Sequence, residues 1–230
     1  MTLPMLALAV APGLAIAIYI YWRDKYEREP LGLLIKCFLL GASTILPAIL
    51  SEGVAISFLG LGDSVFGIFI TAFIYIGLTE EALKYWVLTR YAFKKPDFNE
   101  PFDGIVYSVI IGLGFATLEN IFYVYEYGAE VGFIRMFTAV PMHAAFGVLM
   151  GYYVGMAKFQ GIGLSGPLKI KGLGFAVLFH GAYDFFLMQK ELPFLALLNV
   201  VVIFYAIRLS RKAIKAHLDV SPFKGGRGAS

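Results

Sequence analysis

Charge is scarce in this 230-residue chain. Asp, Glu, Lys and Arg together make up 15% of it, against 59% hydrophobic residues. Soluble domains carry about 25% charged residues, and a mean hydropathy of +0.76 leaves too little polar surface to face water on every side. A water-soluble globule is excluded. Cysteine is nearly absent as well: Cys37 stands alone, which rules out an intrachain disulfide framework and a cysteine-rich metal site. In its apolar stretch it reads as a packing residue. There is no internal repeat and no His-Glu-x-x-His motif of the kind that marks soluble zinc proteases.

What the chain has instead is long apolar runs, at about residues 3–22, 31–51, 64–90, 104–126, 133–157, 171–188 and 192–209, each of a length that spans a bilayer. The first lacks a basic n-region and its positive charges follow it, so it reads as a retained helix, not a cleaved signal peptide. The expected fold is all-α: a polytopic transmembrane bundle of about seven spans, one domain over residues 1–219. Loop charge alternates. Arg23, Lys25 and Arg28 follow the first run, the connection around Glu52 and Asp63 has no Lys or Arg, and Arg90, Lys94 and Lys95 follow the third. Glu126 and Glu130 then mark an acidic turn, Lys158, Lys169 and Lys171 a basic one, and Arg208, Arg211, Lys212, Lys215, Lys224 and Arg227 a basic end. By the positive-inside rule the N-terminus is outside and the C-terminus cytoplasmic, and these cations report orientation in a cell membrane, not binding of nucleic acid. Arg208 to His217 are expected to extend the last helix along the anionic lipid surface, and 220–230 to form a disordered cytoplasmic tail.

Against that apolar background the ionisable residues stand out. An ionisable group at the bilayer centre costs about 2.5–3.5 kcal/mol on insertion scales, yet Glu80, Glu81, Glu119, His143, His180 and Asp184 all fall inside apolar runs. Lys84 follows Glu80 by four residues and Glu81 by three, within helical reach of both. A buried Glu–Lys pair needs one carboxylate, and the chain supplies two; held close, they resist joint ionisation, which suits one of them to general acid–base work. Asn120 beside Glu119 could orient a neighbour. Asp184, one turn after His180, could fix an imidazole tautomer or join it on a metal. His143, His180 and a carboxylate such as Glu119 make the minimum protein ligand set for catalytic zinc; a Glu/His site without metal is the alternative. Gly147, Gly151 and Gly155 form a four-residue stripe that reads as helix packing.

Glu80-Glu81-x-x-Lys84, Asp103-Gly104-Ile105-Val106-Tyr107, Gly112 to Asn120, and then His143 and His180 on successive spans together resemble the PrsW family of intramembrane proteases. The match runs from about residue 75 to residue 185. The resemblance implies site-1 type cleavage of a membrane-anchored substrate, such as a single-pass anti-sigma factor, in stress signalling. A more distant similarity is to the CAAX-prenyl proteases, from which the chain departs at Lys84 and Glu119.

The expected chemistry is activation of water by Glu80 or Glu81, with His143, His180 and Glu119 on a metal or on the scissile carbonyl. Lys84 would tune the carboxylates, and Asn120 or His180 would stabilise the oxyanion. A CAAX-type membrane protease and an ion-coupled transporter are the alternatives, the latter weakened by the lack of paired halves. One conflict stands within the sequence. Counted from the cytoplasmic helix ends, Glu80, Glu81 and His180 lie about 14–15 Å deep, but His143 and Glu119 about 22–24 Å.

Overall fold

The computed structural model describes residues 1–60, 62, 64–189 and 192–225, without the side chains of Leu59, Ile162 and Pro193. Asp63 and Arg227, both counted in the loop charges, lie outside the described residues, as do residues 226–230 of the expected tail. Every regular element among the described residues is helical. That is the outcome the hydrocarbon phase imposes, since a lipid-exposed backbone must satisfy its hydrogen bonds within its own segment.

Seven helical units are long and apolar enough to cross a membrane. The first is α1 (Leu3–Arg23). The second is broken into α2 (Leu31–Ser43) and α3 (Ile45–Leu59). At the break, Thr44 Oγ1 donates back to the carbonyl of Gly41 at 2.6 Å. The third joins α4 (Val65–Ile70), a π-helical stretch (Thr71–Leu78) and α5 (Thr79–Arg90). The fourth is α6 (Pro101–Tyr127). The fifth is α7 (Ala129–Phe137) followed by α8 (Ala139–Phe159), the sixth α9 (Ile162–Leu187) and the seventh α10 (Leu198–Asp219).

Three boundaries differ from the sequence reading, one of them at the sixth span, which begins at Ile162 and so takes Lys169 and Lys171 into α9. The second run continues past residue 51, so Glu52 sits within α3 and not in a loop. The fifth begins earlier and breaks at Thr138. There Pro141, with no N–H to give, is tolerated because it falls in the first turn of α8. Gly128, at φ +86°, makes the tight turn from α6 to α7 in a conformation that a side chain would oppose. At the C-terminal end, α10 continues through Arg208 to Asp219 and is followed by turns over residues 222–225.

α6 is the axis of the bundle. Of its most apolar window 78% is buried, against 11% for α10, and α1, α2 and α8 pack directly on it. Backbones meet without side chains between them. A Cβ on Gly151 would run into the Gly104 carbonyl, one on Gly155 into that of Pro101, and one on Gly147 would lie 2.9 Å from Val109 Cα. The glycine stripe is therefore the packing seam of α8 on α6. On the opposite side Gly114 abuts Phe38 of α2, and Gly41 of α2 abuts Ile111. Cys37 is buried in the same core.

Candidate active site

The π-helical stretch sets up the site. Its wider turn ends at Leu78, one residue before α5, and such turns recur where a helix must present side chains in an unusual register. Gly77 brings it against the backbone of α9, where a Cβ would stand 3.2 Å from Gly181 N. The first turn of α5, carrying Glu80 and Glu81, is thereby held beside His180.

Lys84 Nζ donates to Glu80 Oε2 at 2.9 Å and to Glu81 Oε1 at 2.8 Å, and it lies 3.3 Å from His143 Nδ1. It also sits over the Phe115 ring, 4.0 Å from the centroid. An ammonium has only protons to offer, so Nδ1 of His143 accepts and the ring proton falls on Nε2. That nitrogen is 3.0 Å from Glu119 Oε2. The same oxygen accepts from Arg135 Nη2 at 2.7 Å. His180 lies between acids, with Nδ1 2.9 Å from Glu81 Oε1 and Nε2 3.2 Å from Asp184 Oδ2. The ring can satisfy both only with a proton on each nitrogen, or with one shared with a neighbouring acid. Phe146 stacks on the His180 ring at 4.8 Å.

Glu80, Glu81, Lys84, Glu119, His143, His180 and Asp184 thus form one continuous network. The depth conflict dissolves on helix length: 27 residues of α6 make a rod of about 40 Å, longer than the roughly 30 Å hydrocarbon core. Counting from one end therefore does not fix a depth. Asn120 is drawn away from the carboxylates. Its Nδ2 donates to the Ala9 carbonyl at 3.0 Å and its Oδ1 accepts from Arg135 Nε at 3.0 Å, so it holds Arg135 in place and ties α6 to α1.

One donor atom from each of Glu80, Glu81, His143 and His180 lies within 4.8 Å of all the others, and the four side chains are buried. The Lys84 ammonium already rests against three of these residues, so their donors converge on a point that accommodates positive charge. Two imidazoles and two carboxylates in that arrangement fit a divalent metal. Glu119 falls outside this set, on the far nitrogen of His143.

The network opens onto a cavity of about 810 Å³ lined by Glu80, Glu119, His143, His180 and Asp184. Three further charged residues line it: Glu126, already read as part of an acidic turn, together with Arg135 and Glu52. Arg135 carries no signal in the sequence, since it sits in the nine-residue α7 and its partner is on another helix. Glu52 lies within an apolar stretch, Ile45 to Leu59, whose continuation past it was the available clue.

No solved structure matches the chain. Sequence comparison is more informative. Residues 29–209 match the model of the PrsW family intramembrane metalloproteases. Protease PrsW of Bacillus subtilis (strain 168) is 33% identical over 219 residues, covering 91% of this chain and 95% of the relative. The protein of the same name from Oceanobacillus iheyensis is 37% identical over 222 residues, covering 92% and 99%. That from Geobacillus kaustophilus is 37% identical over 189 residues, 81% of each. With bacterial relatives matched along almost the whole length, and with seven membrane-length helices of its own, the chain belongs to the PrsW family of multi-pass intramembrane metalloproteases of the cell membrane.

Proposed function

We propose that the network around Glu81 is the hydrolytic centre, and that it cleaves a single-pass membrane protein of the anti-sigma-factor type. The observation that carries this reading is the environment of Glu81. Its Oε1 is shared by Lys84 and His180 at 2.8 and 2.9 Å, beside a cavity large enough for an unwound peptide segment. Glu80 lines that cavity directly and is the base that takes the proton of the attacking water, with Glu81 holding Lys84 and His180 in register. The proton on Nε2 of His180, which faces Asp184 at 3.2 Å on the cavity wall, is the one that would turn to the oxygen of the scissile carbonyl. His143, its Nε2–H fixed by Glu119, keeps its other nitrogen toward the carboxylates. Arg135 neutralises Glu119, so a negative charge buried with the imidazole is not left unpaired.

Glu81, His143 and His180 would hold the metal that the family name implies, each imidazole then giving it a lone pair in place of a present hydrogen-bond partner and Glu80 being left as the base; zinc is the metal that best suits this ligand set. When bound, such a metal supplies Lewis acidity and lowers the pKa of a coordinated water. On the reading that the N-terminus is outside, which the alternation of loop charge supports, the cavity runs toward Glu126 and Tyr127 at the outer end of α6.

The test is cleavage of single-pass substrates in liposomes by the wild type and by Glu80→Gln, Glu81→Gln, Glu119→Gln, His143→Ala and His180→Ala, each checked for folding. Loss of about 10²–10⁴-fold in the folded Glu80 and Glu81 variants is expected. Cleavage undiminished in all five would dismiss the site. Full activity after complete chelation would remove the metal from it.

A further inference from the structure

A second cluster of buried acids lies at the other end of α6, about 24 Å along that helix from Glu119. Asp24 closes α1, its N–H bonded to the Ile20 carbonyl. Glu29 immediately precedes Pro30 and α2, and Asp103 lies in the first turn of α6. All three are essentially inaccessible, at 0%, 1% and 0% exposure. One carboxylate oxygen from each lies within 4.8 Å of the other two. Three carboxylates in so small a volume repel one another and need positive charge or protons to stay there.

The donors on hand meet only part of that need. Asp103 Oδ2 accepts from the N–H groups of Asn99 and Glu100 at 2.6 and 2.7 Å, and Glu29 Oε2 accepts from the Tyr107 hydroxyl. The remaining oxygens, Asp24 Oδ1 and Oδ2, Glu29 Oε1 and Asp103 Oδ1, have no hydrogen-bond partner among the described residues. The neighbouring ammonium of Lys158 is directed elsewhere, to the carbonyls of Phe93 and Lys95. A fully buried carboxylate such as Asp24 with both oxygens unpartnered is uncommon in a folded protein and calls for an explanation.

From this geometry we infer that Asp24, Glu29 and Asp103 form a binding site for one oxygen-ligated divalent cation of the calcium type, separate from the hydrolytic centre. Calcium takes oxygen ligands at about 2.3–2.6 Å, so oxygens on opposite sides of one ion lie up to about 5 Å apart, which matches the observed spacing. The four unpartnered oxygens allow a bidentate Asp24 with single oxygens from Glu29 and Asp103. The donors are all hard and include neither sulfur nor imidazole, unlike the set around Glu81, so the two sites differ in metal preference. Burial and the neighbouring acids push Asp24 up to about 8 and Glu29 up to about 10, in keeping with carboxylates that resist ionisation until a cation joins them. A bound ion would tie the α1–α2 connection to the start of α6.

The test is direct measurement of Ca²⁺ binding to the full-length protein in detergent, by equilibrium dialysis and by the thermal midpoint with and without Ca²⁺. The Glu80→Gln/Glu81→Gln double variant serves as background, so that the first site cannot supply the signal. One Ca²⁺ per chain and a raised midpoint are expected in that background, with affinity reduced at least tenfold by Asp24→Asn or Glu29→Gln and unchanged by Asp219→Asn on the surface. If the background protein binds no Ca²⁺, the inference fails, and the acids are held by protons alone. Binding that survives unchanged in folded Asp24→Asn and Glu29→Gln overturns it equally. The background measurement decides the question even if those two variants do not fold.

Discussion

In the proposed site Arg135 and Asp184 would act through the residues they hold, without touching a reacting bond. Each holds a partner: Arg135 pairs with Glu119 at 2.7 Å, and Asp184 faces His180 at 3.2 Å. Removing either should leave the first-contact groups in place but poorly oriented, an effect of about 10–100-fold on activity. Arg135→Gln and Asp184→Asn are therefore expected to lower kcat in liposome cleavage by that amount with thermal midpoints close to wild type. Arg135→Lys, which keeps the charge but loses the fork that also reaches Asn120 Oδ1, should recover only part of it. Two such variants that cleave like wild type would show the outer pairs to be incidental. Asp184 is legible in the sequence because a carboxylate four residues after a histidine is a helical neighbour. Arg135 is not, because its partner lies 16 positions away on a separate helix and nothing local records the contact. Asn120 is intermediate: its polarity inside an apolar run is visible, but its actual partners, Ala9 and Arg135, come only from packing.

At the scale of helices, hydropathy gives the number of spans but not their interruptions. The breaks at Thr44 and Thr138 and the π-helical stretch before Thr79 leave composition unchanged while altering register. It is this register that brings residues of four spans together, which explains why the same side chains counted from helix ends appear at two depths. The glycine stripe on α8, by contrast, reads correctly from spacing alone, since close backbone approach is the one use of three small residues on a single face. Its energetic content is testable. A methyl at Gly151 would collide with the Gly104 carbonyl, which is backbone of a buried helix and has nowhere to move. Gly151→Ala should cost about 1–3 kcal/mol by overpacking, or roughly 2–12 °C in the thermal midpoint for a chain of this size. Gly174→Ala on α9, where a Cβ meets nothing within 4 Å, should not lower it. Equal midpoints for the two variants in detergent would mean that the α6–α8 seam is looser than its geometry states.

Across the whole molecule, α6 carries both polar clusters. Asp103 belongs to its first turn and Glu119 lies 16 residues on, about 24 Å along the rod. The two ends respond to pH in different ways, and the acidic end gives the clearer forecast because Asp24 and Glu29 lie outside the membrane spans. Both are shifted upward, to about 8 and about 10, chiefly by burial and then by neighbouring acids, whereas an unfolded carboxyl titrates near 4. The sign follows from linkage. A group that holds its proton more tightly when folded stabilises the fold below its unfolded pKa and loses that contribution as pH rises through the folded value. In chelator the thermal midpoint should therefore decline between about pH 5 and pH 9, by roughly 2–8 °C if about 1–2 kcal/mol is lost. Calcium should act in the opposite sense. It competes with the same protons, so its stabilising effect should be small near pH 5 and grow toward pH 9, narrowing or erasing the decline. Asp24→Asn removes one acid and half of the bidentate grip, and should flatten the chelator profile while abolishing most of the calcium response. A midpoint that rises with pH in chelator, or a calcium effect independent of pH, would show that these carboxylates are ionised in the folded protein without help from a cation.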